Sequence, residues 1–168
     1  MAGFEHRIKR VFKPTLPIQL LTTVPGVGLT LAVVIALEIG DVTRFPTAEK
    51  LASYAGCTCR VHASGDTLRY GRLRPDVNRY LTWAFIEAAN AICLMRRRPP
   101  HRHASRLYER IARRKGHPKA IGAVARHLAE ATFWLLSKQE AYREPRASAV
   151  SSTGDKRDFA MSSRKLEF

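Results

Sequence analysis

Acidic side chains are scarce in this chain: 14 Asp and Glu stand against 29 Lys and Arg, a formal net charge of +15 over 168 residues. The shortage excludes one kind of chemistry and points to one kind of partner. Glu38, Asp41, Asp66 and Asp76 are scattered, without the clustering that a two-metal nuclease centre needs. A domain with pI near 10.6 is drawn to polyanions, nucleic acid first among them. Cysteine is nearly as rare. Cys57, Cys59 and Cys93 are odd in number and too sparse for a disulfide scaffold, which favours a reducing, cytoplasmic setting. Cys57-x-Cys59 with His62, His101 and His103 lacks the paired spacing of zinc sites, so no metal ligand is assigned and the cysteines read as small buried residues. Long apolar runs are missing too. The longest, residues 27–37, falls well short of the roughly 18 residues of a spanning helix, so no membrane association is expected. The amino-terminal MAGFEHRIKRVFKP is basic but has no apolar core of a secretory signal.

What is present is enough apolar material for one core: 45% of residues are hydrophobic. The pattern divides the chain into a basic amino-terminal stretch (1–15), a single domain (16–144), and a Ser- and Arg-rich tail (145–168) that reads as disordered. From Leu16 the order is a short helix, a Pro-Gly-x-Gly turn and a second helix closed by Gly40. A third helix follows, with Thr47 as N-cap and Gly56 as stop. Residues 59–64 and 67–72 read as two strands joined by Gly65-Asp66, a two-residue hairpin signal. Pro75-Asp76 then opens a long helix to about Met95, with Val77, Leu81, Ala84, Ala88 and Ile92 as its apolar stripe, widened by Trp83 and Phe85. Two more helices follow, at about 104–115 and from Pro118, the last carrying Ile121, Val124, Ala125, Leu128, Thr132 and Leu135 on one side. The fold class is mostly α, with a helix-hairpin-helix-like element and one small β-hairpin.

Three features carry chemistry. The TVPGVG turn, with Gly26 and Gly28, resembles the turn of a helix-hairpin-helix, where backbone N–H groups and a helix N-terminus hold a phosphate without reading sequence; a plain helix–helix turn that only packs fits equally well. Between Arg96 and Lys119 there are ten Lys or Arg and a single acid, Glu109, and Arg106, Arg110, Arg113 and Arg114 fall on one helical face. That density exceeds what solubility needs and favours a nucleic-acid face. Ser64 ends the first strand, with Arg60 and His62 at alternate positions on the same face. A serine hydroxyl becomes a nucleophile only beside a base or in an electropositive setting, and on these residues alone a turn serine is the simpler reading.

The ordered blocks TVPGVG…EIGDVTRFPTAEKLASYAG…SG…RYGRLRPDVNRYL…AAN and KGHPKAIGAVARHLAEATFWLL closely resemble the C-terminal domain of one transposase family. These are the DEDD-type insertion-sequence transposases with an additional C-terminal serine, relatives of the Piv DNA invertase and bridge-RNA-guided recombinases. The resemblance covers about residues 16–145. It implies that Ser64 is the nucleophile for DNA strand cleavage and joining, and that Gly65 shapes its turn. It further implies a basic frame, with Arg60, Arg69, Arg72 and Arg74 on nucleic acid by their charge. DNA, a guide RNA, and a second copy or a full-length transposase are the expected partners, in the nucleoid. Three departures qualify it. The family's RuvC-like domain with its four acidic ligands is not found in these residues, so the chain reads as truncated, with no cofactor of its own and Mg2+ expected only with the acidic domain. Cys57-Thr58-Cys59 replaces an apolar stretch, and Asp66 replaces a small residue. The alternative is a catalytically inactive nucleic-acid-binding remnant that regulates a full-length relative; an unrelated basic protein of the nucleoid or ribosome ranks third.

Overall fold

A computed structural model of the chain describes residues 14–64, 67–73, 77–95 and 103–144. The expectations for the amino-terminal stretch 1–13, for Gly65, Asp66, Arg74 and the Pro75-Asp76 pair, and for the tail from 145 onward, lie outside the described residues. Among the described residues the architecture consists of six α-helices and a pair of antiparallel strands. The helices are α1 (Leu16–Leu21), α2 (Leu29–Ile39), α3 (Ala48–Tyr54), α4 (Arg79–Leu94), α5 (His103–Lys115) and α6 (His117–Lys138), with a 3-10 turn at Val42–Arg44. The mostly helical class read from the sequence holds.

The core is organised around α6. This helix packs against α1, α3, α4, α5 and the 3-10 turn, and α2 joins from the far side by packing on α1 and α4. The reason lies in its sequence. Ala120, Ile121, Val124, Ala125, Leu128, Ala129, Thr132, Phe133 and Leu135 are all buried, and the recurrent alanines let neighbouring helices come close. Local signals set its start: Gly116 takes φ 82 as N-cap and Pro118 sits in the first turn, where its missing N–H costs nothing. Thr47 caps α3 as expected, its hydroxyl accepting from the Lys50 N–H at 3.4 Å.

Two details of α4 differ from the sequence pattern. The helix starts at Arg79 and not at the Pro75-Asp76 pair, because Asn78 is its N-cap and accepts from the N–H groups of both Tyr80 and Leu81. Trp83 is 48% exposed, whereas Phe85 is fully buried. On a helix the two lie about 200° apart, so only one of them can share the stripe of Leu81, Ala84, Ala88 and Ile92.

The strands β1 (Cys59–Ser64) and β2 (Thr67–Leu73) pair antiparallel and pack principally on each other. Their register aligns Ser64 with Thr67, Ala63 with Leu68, His62 with Arg69 and Val61 with Tyr70. Cys59 then aligns with Leu73, so two residues of β2, Gly71 and Arg72, oppose Arg60 alone and form a bulge. The connection between Ser64 and Thr67 is outside the described residues.

Candidate functional site

Ser64 is the last residue of β1 and the last paired position of the ribbon. Six extended residues place it about 17 Å along the strand from Cys59. The register sets it two positions from the His62–Arg69 pair. Arg60 and Arg72 lie at the bulge, nearer the root. The ribbon thus gathers the serine and three of the expected arginine positions on one element, with Arg74 beyond its described end.

The root of the ribbon is built from groups that no local pattern announces. Asn78 is the hub. Its backbone N–H donates to the Tyr54 carbonyl at 3.3 Å. Its Oδ1 accepts from the N–H groups of Tyr80 at 3.0 Å and Leu81 at 3.1 Å. Its Nδ2 donates to Glu38 Oε2 at 2.6 Å and lies 3.5 Å from the Tyr54 hydroxyl. Beside it the Thr82 hydroxyl donates to the Ala55 carbonyl at 2.8 Å. Gly56, at φ 69, has no room for a side chain, since a Cβ there would overlap Val77 and the Thr82 hydroxyl. The Arg44 guanidinium lies 4.8 Å from the ring centroids of both Phe45 and Tyr54, a stacked cation between two aromatic faces. The hydrogen bond from Asn78, then that of Arg44, holds the Tyr54 hydroxyl below its ordinary pKa against a small opposing effect of burial.

Cys57 anchors the first residue above this root. It is buried, its N–H donates to the Ala52 carbonyl at 2.9 Å, and burial pushes its thiol up to about 12. It is therefore packed as a core residue, with its thiol held protonated by burial. Cys59, expected to be buried, is exposed, because the strand has by then left the core. Among the described residues no group of three or more His, Cys, Asp or Glu is placed to hold a metal ion. Nor, among them, is any helix long and apolar enough to cross a membrane.

The two glycines of the PGVG turn part company. Pro25 and Gly26 are the central residues of a turn closed by the Val27 N–H donating to the Val24 carbonyl at 3.1 Å, with Gly26 at φ 80. A Cβ at Gly26 would overlap the Ala88 carbonyl of α4, so this glycine serves helix–helix approach. Gly28 is exposed, is the N-cap of α2, and has open space around it. Of the pair, Gly28 is the one that faces outward.

On α5 the expected segregation is present. Ala104, Ser105 and Tyr108 are buried, while Leu107 and Ile111 are half-buried against the core. Arg106, Arg110, Arg113 and Arg114 line one shallow depression together with Glu109. Arg110, Arg113 and Arg114 are exposed and Arg106 is half-buried. Two contacts with α6 involve histidines: the Tyr108 hydroxyl, midway along α5, is 2.8 Å from His117 Nδ1, and the ring of His103 at the start of α5 lies 4.9 Å from that of His127. Burial, then the nearby His103, lowers the His127 pKa, with Glu130 and Glu144 opposing weakly.

Residues 18–106 match the family described as the transposase IS116/IS110/IS902 family, a span that contains the PGVG turn, the Asn78 hub and the whole ribbon. The chain is similar to a 43.6 kDa protein of insertion element IS110 from Streptomyces coelicolor, 36% identical over 118 residues that cover 69% of this chain and 28% of that protein. It is also similar to the transposase for insertion sequence element IS1111A from Coxiella burnetii, 28% identical over 143 residues, covering 85% of this chain and 39% of the relative. The chain thus spans well under half the length of these relatives.

Proposed function

Since the chain belongs to the IS116/IS110/IS902 transposase family, we propose that it is the serine-bearing part of a DNA recombinase of the DEDD type related to the Piv invertase. In this reading Ser64 is the nucleophile of strand cleavage and joining. The observation that carries it is the position of Ser64 at the last described pair of a strand ribbon whose contacts, among the described residues, are mainly between its own strands, with Arg69 and His62 paired two residues away.

The chemistry is a transesterification. The Ser64 oxygen attacks the phosphorus of a DNA phosphodiester, a serine–phosphate bond forms, and one phosphorus–deoxyribose oxygen bond breaks. The serine proton passes to a base, and the departing deoxyribose oxygen takes up a proton. Attack by another strand's hydroxyl reverses the sequence, so phosphodiester bonds are conserved in number. Arginine positions 60, 69, 72 and 74 are assigned to the negative charge of the phosphates around the reacting one. The described carboxylates do not form a metal cluster. Magnesium and its four acidic ligands are assigned to the RuvC-like domain that the family resemblance implies, carried outside the residues matched here. A longer transposase is proposed as the carrier of that domain, with a second copy of this chain and a guide RNA as further partners.

Binding and chemistry are assigned to different surfaces. Arg106, Arg110 and Arg113 on α5, with Gly28 at the α2 N-terminus, are proposed to hold phosphates independently of sequence; Gly26 supports the turn from behind. This face gives a second reading its support: a chain that binds DNA but does not cut it, regulating a full-length relative. The two are separated by incubating the protein with a full-length family member on nicked or junction DNA. A protein–DNA adduct through this chain that disappears in Ser64→Ala supports the nucleophile. Salt-dependent binding without any adduct supports the regulator, and an adduct that persists with alanine overturns the assignment of Ser64.

A further inference from the structure

The strand that carries Ser64 rises from Gly56-Cys57, and what locks that root is a side-chain cluster contributed by three helices. Glu38 comes from α2, Tyr54 from α3, and Asn78 and Thr82 from the start of α4. The two ends of the ribbon meet here, one at Tyr54–Cys57 and the other at Val77-Asn78. Among the described residues no helix of the core packs extensively on the strands, and the hydrogen bonds that tie the ribbon's ends to the body gather at this root. We propose that Asn78, held by Glu38, is a positioning residue that sets where Ser64 stands relative to the helical body; its effect on chemistry rests on the reading of Ser64 given above.

Asn78 has two separable tasks, and the chemistry of its amide tells them apart. Capping α4 uses only the acceptor, Oδ1. Locking the root to α2 uses the donor, Nδ2, on Glu38 Oε2 at 2.6 Å. Aspartate is as good an N-cap as asparagine. In Asn78→Asp the cap therefore survives, but the donor becomes a carboxylate facing the Glu38 carboxylate, and the root is pushed open. Adding Glu38→Gln restores an N–H donor, now from residue 38 to residue 78, with the direction of the bond reversed. A residue that only capped a helix would make Asn78→Asp silent and would give Glu38→Gln nothing to rescue.

The test is a distance between spin labels at Ser64→Cys and Lys119→Cys, Lys119 being an exposed residue of α6, in a full chain with Cys59→Ser. Cys57 and Cys93 are buried and Cys57 has its thiol pKa pushed up to about 12, so they resist labelling. The parent gives a narrow distance distribution, Asn78→Asp a broad or displaced one, and the Glu38→Gln, Asn78→Asp pair a narrow one again. Should Asn78→Asp fail to fold, Glu38→Ala provides the same reading, since it removes the acceptor and leaves the cap untouched. Distributions unchanged in Asn78→Asp or Glu38→Ala, or no rescue by the double change, overturn the proposal. In chains with Ser64 intact, a misplaced serine predicts adduct formation on junction DNA slowed about a hundredfold, with DNA affinity unchanged. If the distances respond but even the parent forms no adduct, positioning stands and the nucleophile reading falls. If the parent reacts and Asn78→Asp reacts as fast, positioning falls and the nucleophile stands.

Discussion

The helical body and the strand ribbon are held in shape by different forces. The body is an apolar assembly around α6, in which Leu81, Ala84, Phe85, Val124 and Leu128 are fully buried and no single contact dominates. The ribbon has its partner strand and a polar root, and its orientation depends on a handful of hydrogen bonds around Asn78. Distributed burial tolerates a lost polar contact; a directional hinge does not, because each bond removes one degree of freedom. Stability is therefore expected to reside in the body and chemistry in the ribbon, with little exchange between them.

Changes chosen to break this contrast should fail to do so. The largest effect is at the tip: Ser64→Ala abolishes the covalent adduct with DNA while leaving the thermal midpoint unchanged, read by denaturing gel and by melting. In the body, Leu128→Ala lowers unfolding free energy by about 3 kcal/mol, through the lost apolar burial and the cavity left behind. Urea titration measures it, and adduct yield per folded molecule stays the same. The PGVG turn sharpens the comparison. Gly26→Ala costs about 1–3 kcal/mol from its positive φ and the overlap with the Ala88 carbonyl, whereas Gly28→Ala, in open space, costs less than about 1 kcal/mol. On α5, reversing the charge of Arg106, Arg110 or Arg113 each reduces the salt slope of DNA binding by about 1, weakening all sequences alike. A slope that is flat in the parent would remove α5 from the interface.

The smallest expected effect is a pH dependence of the body. His127 in the folded chain holds its proton less tightly than the 6.5 of a free imidazole, chiefly through burial. Between its folded and unfolded pKa values the unfolded chain binds more protons, so stability rises with pH. The contribution is complete above about 6.5 and declines as pH falls through that value towards the folded pKa. Melting curves between about pH 7.5 and pH 5 should show this decline. His127→Gln should flatten it.

Elements with a local cause were legible in the sequence. Thr47 caps α3, and Gly116 and Pro118 open α6, because each rests on contacts within a turn of the chain, while the buried α6 stripe is legible through its helical period. The start of α4 differs from the sequence reading because proline is the stronger punctuator, yet Asn78 standing just before the apolar period is itself a cap signal. Trp83 has a core residue's type but lies outside the apolar stripe by its angle around the helix. The clamp at the ribbon root was not legible at all. Glu38 and Asn78 are 40 residues apart, and Gly26 meets Ala88 across two helices; neither pairing leaves a periodic trace. Ser64 itself was singled out by the order of blocks around it and not by any property of the serine.

The central place of α6 has a consequence for how the chain is made. The helix that every layer but α2 leans on is the last one described, at His117–Lys138. While the ribosome is still extending the chain through α5, the finished amino-terminal helices can pack on one another but lack the helix that covers the rest of their apolar faces. At a synthesis rate of roughly 5–20 residues per second, the stretch from the end of α4 to the end of α6 takes on the order of 2–9 seconds. During that interval α1 to α4 expose surface that chaperones bind, and a ribosome stalled before α6 would release a chain unable to close its core.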